Sequence, residues 1–218
     1  MRGFLRFTGA PVTFGLLVLI FGAYSIEWFS GVNGSTPDLA RTQILYNLGG
    51  ITAGLFQDHQ YWRALAAMFL HVNVLHLATN TFSLWQLGTL YERMFGSRRL
   101  FLTYFTTGLL GSFVSAKMLP PNAVGVGASG AILGILGSFI FSIILSPRWR
   151  HEKFLFGQLV FWAVANLMLP HYVPNIDQSA HIAGLVSGLI LGLYPTRVPP
   201  PPPGQEVIDV PSHSMGSE

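Results

Sequence analysis

Long apolar stretches separated by short polar segments form the main pattern along the chain. The last two of these stretches are near or below the ~17 residues that a full membrane span needs. They are still counted as spans, because the alternation of charge between the connecting segments requires them. The pattern predicts an all-α polytopic membrane protein with a bundle of six transmembrane helices. The apolar runs occupy residues 11–29, 66–91, 100–119, 127–145, 154–169 and 180–194.

The composition agrees with lipid as the surrounding solvent. Half of the 218 residues are hydrophobic and only 10% are charged, against roughly 25% charged residues in soluble domains. The first apolar run reaches Phe29 without a small-residue cleavage site of the usual form, so we expect no cleavable signal peptide. The chain has no cysteine, which excludes a disulfide framework, thiolate chemistry and a cysteine-based metal site.

The basic residues orient the predicted bundle. With the N-terminus inside, nine of the twelve Lys and Arg residues fall in inner segments, as the positive-inside rule expects. The net charge of +3 then reflects topology and attraction to anionic lipid rather than a nucleic-acid surface. Both termini are predicted to be cytoplasmic. The inner residues are Arg2, Arg6, Arg93, Arg98, Arg99, Arg148, Arg150, Lys153 and Arg197, and the outer ones are Arg41, Arg63 and Lys117.

Three segments follow from this topology. Residues 1–10 form a short cytosolic N-terminus, and residues 11–195 form the six-helix core. The core contains a long outer loop at residues 30–65. Residues 196–218 are predicted to be a disordered cytosolic tail, because they contain five consecutive prolines at 199–203 and continue polar.

Polar side chains recur at the outer ends of the second, fourth and sixth spans, which all run from outside to inside. The second span opens with His71, His76 and Asn80, the fourth with Ser129, and the sixth with His181. His76 and Asn80 are four residues apart and therefore share one helical face. Polar side chains inside the membrane cost free energy, so they usually face a cavity or one another. The topology thus brings a hydroxyl, imidazoles and a carboxamide to one side of the membrane.

Small residues next to the serine and the histidine recur every four positions. Such stripes let two helix backbones approach closely in lipid. Close packing of the fourth and sixth spans would place Ser129 and His181 within hydrogen-bond reach. The stripes consist of Gly130 and Gly134 in the fourth span, and of Ala180, Gly184, Gly188 and Gly192 in the sixth.

A serine paired with a histidine is the minimal activated nucleophile, because the imidazole accepts the hydroxyl proton during attack and returns it later. An oxyanion intermediate also needs hydrogen-bond donors. The first backbone N–H groups of the fourth span have no partner in their own helix and carry the positive end of its dipole. His76 and Asn80 can add side-chain donors. The same glycines would also fit a purely structural stripe, and a lone serine among them would indicate packing alone.

Three segments in this order resemble the rhomboid family of intramembrane serine proteases. They are "HVNVLHLATN", "GASGAILG" and "AHIAGLVSG"; "YWR" at 61–63 and "ERMFG" at 92–96 also resemble motifs of that family. The resemblance covers roughly residues 10–195 and leaves the tail outside it. It implies a six-helix core and a Ser–His dyad without a third, acidic member.

Carried over residue by residue, the resemblance implies that Ser129 is the nucleophile and His181 the general base. His76 and Asn80 match the oxyanion-hole positions, with the backbone N–H groups of Ser129 and Ala128. His71 matches a histidine that mainly supports the outer loop. The chain departs from the family at Leu133, where an aromatic ring usually stacks on the catalytic histidine. The site is supported by the glycines around the two catalytic residues, namely Gly127, Gly130, Gly184 and Gly188.

The resemblance also implies the partners. The expected substrates are membrane-anchored proteins that are cleaved in or near a transmembrane helix at the outer face. A peptide bond inside a helix is shielded, so substrates should carry Gly, Pro or other helix-weakening residues below the cut. We expect contact with membrane lipid, no nucleic acid, no cofactor and no metal. The expected location is a prokaryotic plasma membrane, and the sequence leaves the oligomeric state open.

Other classes of function compete with this interpretation. An inactive relative would bind membrane segments without cutting them, but such relatives lack the serine or the histidine. A transporter or channel predicts paired charges or internal two-fold repeats along a pathway, and the inner halves of these spans offer neither. His71 and His76 could instead be haem or metal ligands, as in membrane cytochromes, but two axial ligands normally lie on facing helices near the midplane.

Overall fold

The computed structural model describes residues 9–33, 35–146, 150–173 and 176–194. Within these ranges the chain is helical, and its only β pairing is an isolated antiparallel bridge between Ile51 and Gly125. The predicted all-α class is confirmed. The predicted cytosolic N-terminus and Pro-rich tail lie almost entirely outside the described residues.

Nine α-helices follow one another in the described part of the chain. A π-helical turn, Leu84–Gly88, joins α4 to α5, so that the helix continues from Val74 to Phe95. The helices are α1 Pro11–Phe29, α2 Asp38–Leu48, α3 Trp62–Ala66, α4 Val74–Ser83, α5 Thr89–Phe95, α6 Ser97–Met118, α7 Ser129–Leu145, α8 Lys153–Met168 and α9 Gln178–Gly192.

The second apolar run does not become helical along its whole length. We predicted a span over residues 66–91, but the helix begins at Val74 because Asn73 caps it. The Asn73 side chain accepts a 2.8 Å hydrogen bond from the His76 backbone N–H, which is the usual way to satisfy a free donor in a first turn. The segment between α1 and this helix therefore extends to residue 73 and carries helices α2 and α3.

Helix α1 begins at Pro11 without a cap of its own, and a side chain from α5 supplies one. The buried Glu92 carboxylate accepts hydrogen bonds from the backbone N–H groups of Val12 and Thr13, at 2.9 and 2.8 Å. It also accepts a 2.7 Å bond from the Thr13 hydroxyl. An anionic side chain at a helix N-terminus is favourable for the unpaired donors and for the helix dipole. Glu92 thus ties the first helix to the second half of the Val74–Phe95 helix.

Helix α7 forms the centre of the bundle and packs against α6 and α9. Its side chains are almost all buried along its length. A Cβ on Gly184 would overlap the carbonyl oxygen of Gly130, and a Cβ on Gly188 would overlap that of Gly134. The backbones of α7 and α9 are therefore in direct contact, and only glycine fits at these two positions of α9.

The outer surface of the bundle is strongly apolar. Large side chains such as Phe21, Phe82, Phe101 and Trp162 are each about half exposed. An exposed apolar surface of this extent is unfavourable in water and indicates contact with lipid. Among the described helices, Pro11–Phe29 alone is both long and apolar enough to cross a membrane by those two measures. Helices α7, α8 and α9 are apolar but shorter.

Replacing Gly188 by leucine should separate α9 from α7, because the new side chain has no space beside Gly134. Overpacking usually costs about 1–3 kcal/mol, so we expect a clearly lower thermal unfolding temperature in detergent. Gly22→Leu is the matched control, since nothing lies within 4 Å of a Cβ at that exposed position of α1. Equal unfolding temperatures for the two variants would contradict the close backbone contact.

Candidate active site

Ser129 and His181 lie side by side in the structure. Ser129 is the first residue of α7, and His181 lies in the first turn of α9. The Ser129 Oγ and His181 Nε2 atoms are 2.8 Å apart, which is hydrogen-bond distance. His181 is 5% exposed, whereas Ser129 is half-buried. The Ser129 hydroxyl is therefore accessible from the protein surface, whereas the His181 ring is sheltered from water.

The glycine contacts between α7 and α9 bring this pair together. Gly130 follows Ser129 directly and lies against the backbone of Gly184, one turn beyond His181. A Cβ on Gly130 would also come within 3.3 Å of the Ala180 carbonyl oxygen, just before His181. With side chains between the helices, the axes would be farther apart, and the hydroxyl and the imidazole would lose contact.

The start of α9 is fixed by Asp177. Its Oδ1 atom accepts a 3.1 Å bond from the Ala180 N–H and a 2.5 Å bond from the Ser179 hydroxyl. Its Oδ2 atom accepts a hydrogen bond from Ser115 of α6. Asp177 is therefore an N-cap that also ties α9 to α6. An aspartate four residues before a histidine near a helix start could have signalled this cap.

His76 and Asn80 approach the serine from α4. A Cβ on Gly127 would lie 2.8 Å from His76 Cε1, 2.9 Å from His76 Nε2 and 3.7 Å from Asn80 Nδ2. Gly127 precedes Ser129 by two residues and has a φ of +130°, which side-chain-bearing residues rarely adopt. Its N–H donates to the Ala67 carbonyl oxygen at 2.8 Å. Glycine is therefore required here both for its conformation and for the space that it leaves to His76.

Several buried polar atoms around this point have no hydrogen-bond partner in the described part of the chain. They include His76 Nδ1 and Asn80 Nδ2. Buried polar groups are nearly always paired, so each such atom needs an explanation. Their concentration beside one serine hydroxyl is typical of a site that is completed by a ligand.

His71 lies outside the helices, two residues before the cap of α4, and is fully buried. Its Nδ1 atom donates to the Phe69 carbonyl oxygen at 3.1 Å, since a carbonyl only accepts. Burial, followed by the neighbouring His76, lowers the pKa of His71 to about 3, so the ring is neutral. The two histidine rings contact each other edge to face, with centroids 5.0 Å apart. This direct packing does not favour a shared haem, whose axial ligands lie on opposite faces of the macrocycle.

No carboxylate bonds to the second ring nitrogen of His181 within the described residues. The nearest acid along the chain, Asp177, is occupied by Ser115, Ser179 and the Ala180 N–H. Leu133, at the position where an aromatic ring was expected, is buried in the main apolar cluster with Leu136. Apolar packing rather than an acid surrounds this part of α7.

These features define a class of protein: a helical bundle in which a serine and a histidine meet at the N-terminal ends of two closely packed helices. A family model described as the Rhomboid domain matches residues 58–197, which is more than half of the chain. The chain therefore belongs to the rhomboid family, and it is an integral membrane protein.

Curated relatives come from several organisms. The Rhomboid protease GluP of Bacillus subtilis is 37% identical over 158 residues, covering 72% of this chain and 30% of its own. RHOMBOID-like protein 2 of Arabidopsis thaliana is 37% identical over 136 residues, covering 62% and 42%. Rhomboid-like protease 1 of Toxoplasma gondii is 27% identical over 188 residues, covering 83% and 64%. The chain spans less than two thirds of the length of each of these relatives.

Asp177→Ala should destabilise the start of α9. Loss of an N-cap costs about 0.5–2 kcal/mol, and the Ser115 hydroxyl loses its acceptor as well. We expect a lower unfolding temperature in detergent for this variant. Asp177→Asn is the matched control, because asparagine caps helices as well as aspartate does. If both substitutions lower the unfolding temperature equally, the cap is not what holds this end of α9.

Proposed function

We propose that this chain is an intramembrane serine endopeptidase that uses Ser129 as nucleophile and His181 as general base. The observation that carries the proposal is the 2.8 Å contact between Ser129 Oγ and His181 Nε2. Membership in the rhomboid family and similarity to two relatives that are named as proteases give it further support. The inactive-relative alternative fits less well, since such proteins lack one member of this pair.

In the proposed reaction, Ser129 Oγ attacks the carbonyl carbon of the scissile peptide bond while its proton moves to His181 Nε2. The protonated His181 then gives this proton to the leaving amine, and the peptide bond breaks. Water attacks the resulting acyl-enzyme with His181 again as base. The acid product leaves, and Ser129 regains its proton. Burial of His181 shields this proton transfer from competing water.

The tetrahedral intermediate needs donors for its oxyanion. We assign this role to an oxyanion site formed by the side chains of His76 and Asn80 with the backbone N–H groups of Ala128 and Ser129. The unpartnered Asn80 Nδ2 supports the assignment, because a buried amide without an acceptor is unfavourable until a ligand supplies one. The start of α7 adds the positive end of its dipole. Such preorganised donors act on the transition state more than on the substrate.

The dyad works here without a third, acidic member. An acid usually orients the imidazole, and we infer that helix packing does so instead. His181 is held on α9 by the Gly130–Gly184 contact and by the Asp177 cap at the start of that helix. Leu133 replaces the aromatic ring that would otherwise stack on the histidine.

We further infer six spans with both termini in the cytoplasm and the site toward the outer face. In this arrangement α1, the Val74–Phe95 helix, α6, α7, α8 and α9 cross the membrane, and α2 and α3 lie on its outer side. The distribution of Lys and Arg supports this orientation. A prokaryotic plasma membrane is our expectation for the compartment. The matched relatives come from Bacillus subtilis, Arabidopsis thaliana and Toxoplasma gondii.

The proposed substrates are membrane-anchored proteins with a helix that unwinds easily near the outer face. The peptide bond must leave its helical hydrogen bonds before Ser129 can reach the carbonyl carbon. Glycine near the cut makes the helix less stable than alanine would by about 1 kcal/mol, and proline does so by about 3 kcal/mol, so the helix unwinds more easily. A small residue before the scissile bond would fit beside Gly127 and His76.

A fluorophosphonate probe should label the purified wild-type protein in detergent at a single serine. Ser129→Ala should lose both labelling and cleavage of a transmembrane substrate while it keeps its helical content. Ser187→Ala serves as control, because that hydroxyl only bonds carbonyl groups of its own helix. Cleavage by Ser129→Ala at a substantial rate would refute the nucleophile assignment.

Asn80→Ala should lower kcat by roughly 10–10³-fold with little change in KM, because its amide donates mainly in the transition state. Thr79→Ala is the control, since Thr79 is exposed and its hydroxyl bonds only its own helix. Kinetics and unfolding temperature should be measured on the same preparations. A destabilised Asn80→Ala protein whose folded fraction works at the wild-type rate would remove Asn80 from the oxyanion site.

A further inference from the structure

Glu27 is a fully buried carboxylate in the last turn of α1 that the proposed mechanism does not use. Both of its oxygens face one donor, the backbone N–H of His71, at 3.0 and 3.1 Å. The two residues are separated by 44 positions in the chain. No ion pair to Glu27 occurs within the described residues. Its buried carboxylate therefore serves as an acceptor for a single backbone group.

The His71 segment leads directly to the oxyanion site. The His71 backbone is held by Glu27, and its ring is held by the Phe69 carbonyl oxygen. This ring packs edge to face on His76. The Cε1 and Nε2 atoms of the His76 ring lie close to Gly127, two residues before Ser129. A continuous series of contacts thus runs from Glu27 through His71 to His76.

An acid at this position is unfavourable unless its oxygens are used. Burial of a polar group costs free energy unless it is hydrogen-bonded, and burial of a charge costs more. An apolar side chain of similar size would fill the same space in a membrane helix at no such cost. Besides filling space, Glu27 accepts the hydrogen bond from the His71 N–H. This bond fixes the segment that leads into α4.

We propose that Glu27 is a positioning residue for the oxyanion site, acting through His71 on the orientation of the His76 ring. The inference rests on the proposed function, since it assigns a kinetic effect to a site that is itself proposed. Without the Glu27 acceptor, the segment before α4 moves relative to α1, and His76 no longer sits against Gly127. A misplacement of about 1 Å in an active site can lower the rate by about 10²-fold.

Glu92 of α5 provides a matched control, because it contacts the other end of α1. It is also a buried acid that accepts backbone N–H donors, from Val12 and Thr13. Its contacts lie in the first turn of α1, whereas Glu27 lies in the last. A purely structural role for both acids predicts the same phenotype. A positioning role predicts a kinetic effect for Glu27 alone.

The experiment compares Glu27→Met, Glu27→Gln and Glu92→Met with wild type, using cleavage of a transmembrane substrate in detergent and thermal unfolding. We expect Glu27→Met to lower kcat about tenfold with KM unchanged, because the acceptor is lost but the volume is kept. Glu27→Gln keeps an acceptor oxygen and should restore most of kcat. Glu92→Met should lower the unfolding temperature while its folded fraction keeps the wild-type kcat.

A double variant tests whether Glu27 acts through His76. In a His76→Ala background, Glu27→Met should cause little further loss of kcat, because the group that it positions is gone. If Glu27→Met does not fold, Glu27→Asp replaces it, since the shorter side chain withdraws the acceptor while keeping the carboxyl group.

Three results would overturn the inference. The first is a wild-type kcat for Glu27→Met and Glu27→Asp, and the second is an equal loss for Glu92→Met. The third is a loss of kcat in the double variant that equals the product of the two single losses. A wild-type protein that neither cleaves nor reacts with a fluorophosphonate would instead refute the proposed function, and the inference with it.

Discussion

The contact between the backbones of α7 and α9 is the constraint on which the rest of the structure depends. Where Gly184 and Gly188 meet Gly130 and Gly134, there is no room for a side chain. In lipid the hydrophobic effect does not drive helices together, so association relies on close van der Waals packing, which small residues allow. The same contact sets the distance between the N-terminal ends of the two helices. Stability and the serine–histidine pair therefore have one origin.

Helix α1 is attached to the rest of the bundle by two buried carboxylates. Glu92 holds its first turn from α5, and Glu27 holds the segment that precedes α4 from its last turn. Both acids accept backbone N–H groups that would otherwise lie unpaired in an apolar surrounding, which is costly. Polar residues within the bundle thus replace the water that would satisfy such groups in a soluble protein. Glu92 bonds the first turn of α1 from α5, whereas Glu27 lies in the last turn of α1 and links that helix toward His76.

Unpaired buried polar atoms cluster near Ser129. Many buried donors elsewhere in the described chain find acceptors, as with Arg99, which donates to Tyr91 at 2.8 Å and to Ser142 at 2.9 Å, although Tyr24 Oη, Arg41 Nε and Ser146 Oγ have no partner. Around the serine, by contrast, atoms of His76 and Asn80 stay unpaired. Leaving buried groups unsatisfied lowers stability, and functional sites commonly carry this cost. The clustering of unpaired atoms beside one hydroxyl separates the candidate site from the paired polar network around Arg99.

The sequence by itself determined the helical class, the order of the polar motifs and the glycine stripes, because these depend on local composition and on the period of the helix. The serine and the histidine could be paired from those stripes before any coordinates. The start of the second long helix is also set locally, by the Asn73 cap, although the apolar run around it predicted an earlier start. Only the tertiary structure decided which partners Glu27 and Asp177 find on other parts of the chain. An acid near a helix end has many available partners, and contacts between residues 44 or 62 positions apart exist only once the helices have packed.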